Sequence, residues 1–161
     1  LGLFEDPLFE TAQCRHCPTE VRAGESVLEA LRSGVQLSSL AAFLNVDDLA
    51  VLRPVGLTEA DKRAALLRAF RQVGKQYDFN FEVQTVDKIT CSELAYHVFP
   101  DIPWETEEQL GQYTISPDQV ASQAFTDDAP LRIVDFYHDG ARVDPAEARP
   151  RMEKLIEDEK A

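Results

Sequence analysis

The sequence predicts an α+β fold, with helices packed against a small antiparallel sheet. Three observations carry this expectation. The strand-like and helix-like stretches follow the order strand pair, helix, strand, three helices, strand pair. Both strand pairs are closed by short turns, which only antiparallel neighbours allow. The 161 residues are 44% apolar and 28% charged, enough for one domain with a real core, 1–161.

Each element has a local cause. Residues 3–12, with Leu3, Phe4, Leu8 and Phe9, read as a strand end and a short helical turn. Glu20 to Ala23 and Ser26 to Ala30 read as a hairpin around Gly24-Glu25. Leu37 to Leu44, after Gly34, reads as a short amphipathic helix, and Asp48 to Arg53 as a buried strand stopped by Pro54. Thr58-Glu59-Ala60-Asp61 forms a capping-box pattern that starts a long helix ended by Gly74. An aromatic loop, Tyr77-Asp78-Phe79-Asn80-Phe81, leads to a helix opened by Cys91 and closed by Pro100 and Pro103. Ser116-Pro117-Asp118 starts another helix, with the serine as cap and proline at the first position. Leu131 to Tyr137 alternates as a strand, turns at Asp139-Gly140 and returns through Ala141 to Val143. Residues 145–161 form a charged helix with fraying ends.

Charge narrows the function. Sixteen basic against 29 acidic residues give a net charge of −13. Nucleic acid and anionic lipid headgroups both require a basic surface, so neither is expected as the main partner. No apolar run reaches the ~18–20 residues that span a bilayer. The first residues lack the basic-then-apolar layout of a signal peptide, which leaves the compartment open.

Three cysteines cannot close a disulfide framework. Cys14 and Cys17 form a C-x-x-C pair around His16, but no second ligand pair accompanies them, so no metal site and no cofactor is expected. Pro18 breaks the helix that a redox C-x-x-C would head.

Cys91 is different. It opens the run Cys91-Ser92-Glu93-Leu94-Ala95-Tyr96, at the N-terminus of an apolar-faced helix. Unpaired backbone N–H groups and the positive end of the helix dipole favour a thiolate there and can hold an oxyanion. A small buried cysteine is the competing reading. A thiol nucleophile also needs a base within hydrogen-bond reach. His97 follows six residues later on the same helix, a rotation of about 600°, and so points away. His138 sits beside the Asp139-Gly140 turn. His16 can approach from another element. Glu29, an acid inside the apolar run Val27-Leu28-Glu29-Ala30, can orient that imidazole if the two strands are adjacent, or it can face solvent; Glu20 is the alternative orienter.

The ordered set of stretches resembles the circularly permuted papain-like hydrolases of NlpC type, the YiiX/YebB-like group. The matching features are His16 ahead of a strand, Val27 to Ala30 followed by Gly34-Val35, and Leu52-Arg53-Pro54. After the long helix come Gly74-x-x-Tyr77-Asp78-Phe79, then Cys91 to Tyr96, then Ile115 to Asp118. The match spans roughly residues 8–143. The resemblance implies a permuted papain-like fold, with Cys91 as nucleophile, His16 as base, Glu29 as orienter and Tyr77 in the loop that lines the pocket; Phe79 of the aromatic loop and Ser92 beside Cys91 are further expected substrate contacts. The family's Ser-His-x-Gly pattern is replaced here by Arg15-His16-Cys17-Pro18.

The expected activity is a thiol hydrolase or acyltransferase opening an amide or ester bond in a peptide, peptidoglycan-derived or lipid-like substrate. A binding module that keeps the fold without catalysis is the alternative, and the altered surroundings of His16 motivate it.

Overall fold

The computed structural model describes residues 25–81, 83, 87–109 and 111–159. Expectations for residues 1–24, including the strand before His16 and the C-x-x-C pair, lie outside the described residues.

The first hairpin pairs β1 (Glu25–Leu31) antiparallel with β2 (Gly34–Ser39). Its turn is at Arg32-Ser33; the expected partner strand Glu20 to Ala23 lies outside the described residues. The expected helix over 37–44 shrinks to α1 (Leu40–Phe43), capped by Ser39, because residues up to Ser39 are spent on the ladder. Alternation within Val35-Gln36-Leu37-Ser38 fits a strand as well as a helix over so short a stretch.

The expected strand before Pro54 is β3 (Asp48–Pro54). Helix α2 (Glu59–Phe70) begins at the expected cap, where Thr58 and Asp61 exchange side-chain and backbone hydrogen bonds. It ends four residues before Gly74, in a series of turns. The two-residue strands β4 (Gln76–Tyr77) and β5 (Lys88–Ile89) pair in parallel. Helix α3 (Cys91–Val98) follows directly.

A hairpin that the sequence reading missed comes next, β6 (Glu107–Gln109) with β7 (Gln112–Thr114), followed by α4 (Pro117–Ser122). The chain closes with β8 (Leu131–His138), β9 (Ala141–Arg142) and α5 (Pro145–Glu159). Strand β8 lies between β3 and β9, and both pairings are antiparallel. The α+β expectation thus agrees with a fold of helices and small sheets.

Two apolar clusters hold these parts together. In the first, Ala30 and Val35 of the hairpin, Ala65 of α2, Ile89 of β5 and Leu94 and Val98 of α3 pack together. Ile89 is completely buried. In the second, Phe136 of β8 packs with Ala148 and Met152 of α5, flanked by Leu52 and Ile133. Burying each of the larger side chains contributes about 1.5–3 kcal/mol, and α5 is held at Ala148 and Met152 for this reason. Arg68 Nε donates to the carbonyl oxygen of Val98 at 2.7 Å, tying α2 to the end of α3.

Gly34 joins the first hairpin to the segment leading into β4. The Val35 N–H donates to the Lys75 carbonyl, and the Gly74 N–H donates to the Val35 carbonyl, both at 2.9 Å. Gly34 has φ +110°, and a Cβ there would lie 2.6 Å from the Lys75 carbonyl oxygen. Only glycine fits so close a backbone approach in that conformation. Gly34→Ala should therefore cost at least about 1–3 kcal/mol of strain, read as a lower urea midpoint with an unchanged slope. An unchanged midpoint would contradict the contact.

Candidate active site

The site is built around the start of α3. Thr90 caps the helix from an extended conformation (φ −89°, ψ 174°). Its hydroxyl oxygen accepts from the Glu93 N–H at 3.3 Å, and its own N–H donates to Glu93 Oε2 at 2.7 Å. The Leu94 N–H donates to the Thr90 carbonyl at 3.0 Å. The first two N–H groups of the helix, those of Cys91 and Ser92, find no partner within the helix. Cys91 is exposed, which removes the small-buried-residue reading, and its Sγ lies 3.9 Å from Ser92 Oγ.

Glu93 itself is only 1% exposed. Burial raises its carboxyl above the usual range, the nearby Asp78 carboxylate adds to the rise, and the hydrogen bonds from Thr90 oppose it. Asp78 is equally buried. Its Oδ1 accepts from the Asn80 N–H at 2.9 Å, and its own N–H donates to the Ile89 carbonyl at 3.3 Å. Tyr77 is thereby fixed in the strand pairing itself, opposite Ile89, two residues before Cys91.

Tyr77, Thr90, Cys91 and Ser92 form one wall of a cavity of about 400 Å³. Gln112 and Thr114 of β7, with Ser116 at the head of α4, form the other. Every residue lining this cavity is uncharged, in a chain of net charge −13. Burial, followed by proximity to Cys91 and Glu93, raises the Tyr77 phenol above its ordinary value, with Arg32 opposing. The phenol therefore keeps its proton and stays a donor at neutral pH.

Of the other expected residues, Phe79 stands beside the cavity, with its ring 5.1 Å from that of Tyr77 and 64% of its surface exposed. Glu29 lies in the middle of β1 opposite Gln36. Its neighbours Leu28 and Ala30 pack toward α3, so Glu29 occupies the other face of the strand. His16 and Glu20 lie outside the described residues. His97 is held neutral by burial and by nearby Lys75, away from the cavity lining. His138 Nδ1 lies 2.7 Å from Asp48 Oδ1 at the far end of β8.

The β7 wall escaped the sequence reading. The available signal was the alternation Gln112-Tyr113-Thr114-Ile115 after Gly111, which has φ +82°; the facing Glu107-Glu108-Gln109 carries none. Among the described residues, no group of His, Cys, Asp and Glu is arranged to hold a metal ion, and no helix is long and apolar enough to cross a membrane.

A family model described as permuted papain-like amidase enzyme, YaeF/YiiX, C92 family, matches residues 11–135. No curated protein and no solved structure matches the chain.

The buried cap has a pH consequence. A glutamate whose folded value is raised contributes its full stability below the ordinary carboxyl range and loses it as pH rises through the raised value. Glu93→Gln preserves the capping geometry and removes the titration. Urea unfolding from pH 4.5 to 7 should therefore show wild type losing stability relative to Glu93→Gln as pH rises. A constant difference across that range would rule the effect out.

Proposed function

The chain belongs to the permuted papain-like amidase family, a family of hydrolases, and from that premise we propose that it opens an amide or ester bond through Cys91. The observation that carries the proposal is an exposed thiol at the first position of a firmly capped helix, facing an uncharged cavity beside a protonated tyrosine. In the proposed cycle, His16 takes the proton from Cys91 Sγ, and the thiolate attacks the carbonyl carbon. The carbonyl electron pair moves onto oxygen. The Cys91 and Ser92 N–H groups and the Tyr77 hydroxyl are the donors available to that oxyanion. Collapse expels the amine or alcohol, which leaves with the proton from His16. Water, or a second acceptor in the acyltransferase version, then attacks the thioester with His16 as base and restores the thiol.

His16 is preferred as base because neither of the other two histidines lines the cavity. His97 is buried near Lys75, and His138 is paired with Asp48. Glu29 is the proposed orienter, with Glu20 as the alternative, since Glu29 occupies the β1 face turned away from α3. The uncharged lining favours a neutral group next to the scissile bond, as in a peptide-like, peptidoglycan-derived or lipid-like acyl substrate; Phe79 extends the aromatic wall toward solvent.

Cys91→Ala should abolish both turnover of an amide or ester panel and labelling by a thiol-reactive probe. His16→Ala should slow alkylation of Cys91 most at pH 6, where only an ion-paired thiolate reacts. Tyr77→Phe should lower kcat by about 10²-fold with little change in KM, the loss of one oxyanion donor. Undiminished turnover in Cys91→Ala would overturn the proposal.

A further inference from the structure

A second cavity, of about 620 Å³, lies at the opposite end of α3 from Cys91. It falls within the roughly 300–1,000 Å³ of small-molecule sites. Its walls are apolar: Leu57, Leu66 and Ala69 from the α2 side, and Val98 and Phe99 from the end of α3. Leu66 and Val55 remain 44% and 57% exposed there.

Its mouth carries an arrangement that folding alone does not explain. Arg53 and Arg132 are directly opposed in the β3–β8 register and line the same cavity. Side chains so paired stand about 5 Å apart on one face of the sheet, and like charges there repel. Neighbouring Leu52 and Ile133 turn to the other face and pack with Phe136 and Met152. The third cation at the cavity, Lys62, is matched by Glu59 at 2.5 Å. Neither arginine has a carboxylate partner within ion-pair distance among the described residues.

We infer that this groove binds a free long-chain carboxylate, with its head between Arg53 and Arg132 and its chain along Leu57, Leu66 and Phe99. Two guanidinium groups present parallel donors that match one carboxylate, relieve their mutual repulsion and fix the head group. The apolar walls suit an alkyl chain, whose burial contributes about 0.8 kcal/mol per methylene. An anionic bilayer is a poor occupant, since a chain of net charge −13 is repelled from it. The site is separate from the Cys91 chemistry and does not depend on it.

Calorimetric titration of the full chain with palmitate, kept below its aggregation limit, tests this beside hexadecanol and acetate. Saturable one-to-one binding of palmitate is expected, at least tenfold tighter than hexadecanol, with no binding of acetate at the same concentrations. The double variant R53Q/R132Q should keep its thermal midpoint without ligand and bind palmitate at least tenfold more weakly. Cys91→Ala should bind as wild type does. If the double variant does not fold, Leu66→Glu on the exposed wall carries the same expectation. Equal affinity for palmitate and hexadecanol, undiminished binding by R53Q/R132Q, or loss of binding on alkylating Cys91 would overturn the inference.

Discussion

The reciprocal bond between Thr90 and Glu93 is the constraint on which the site depends. A helix has no intrinsic reason to begin at one residue rather than its neighbour, and a shift by one position rotates every side chain by about 100°. Here the first residue is fixed from both directions. The Thr90 hydroxyl holds the Glu93 N–H, and the Glu93 carboxylate holds the Thr90 N–H. Burial makes the arrangement stringent, because a carboxylate that is 1% exposed cannot exchange its partner for water. Cys91 is consequently the first helical residue, exposed at the cavity, while Leu94 and Val98 point into the core.

Tyr77, on the same wall of the site as Cys91, depends on the same point in the chain. Ile89, completely buried, pairs with Tyr77, and its carbonyl accepts from Asp78. A two-residue parallel pairing is too short to persist alone. It persists because Ile89 belongs to the cluster that also holds Ala30, Val35, Ala65 and Leu94. The hairpin, α2 and α3 therefore converge on one side chain, and the positions of Tyr77 and Cys91 follow from it. Gly34 adds the close backbone contact that brings the hairpin against the segment entering Tyr77.

Much of this was legible in the sequence wherever a cap or a proline marked it. The starts of α2, α3 and α4 follow from Thr58, the Thr90-Cys91 step and Ser116-Pro117, since each supplies the side-chain acceptor or fixed φ that a helix start needs. Strands β3 and β8 follow from their apolar runs and from Pro54 and Asp139-Gly140. The errors lie where local chemistry was weak. The Arg32-Ser33 turn carries no strong turn residue of its own, and the 37–44 run was short enough to suit either period. The β6–β7 hairpin is held by tertiary contact, with the Val83 N–H donating to the Tyr113 carbonyl at 2.9 Å, and no local pattern encodes that bond. In the site, Cys91 and Tyr77 were legible because helix starts and aromatic loops have chemical reasons. Gln112 and Thr114 were not, because their partner strand, Glu107-Glu108-Gln109, is polar throughout and leaves one short alternating run with no visible mate.

The most direct measurement is rapid-quench mass spectrometry during turnover of an activated acyl ester. The account predicts one acyl group per chain, formed in a burst and localised by peptide mapping to Cys91. Full turnover with no acyl group on that peptide, or with the group on another side chain, would contradict it.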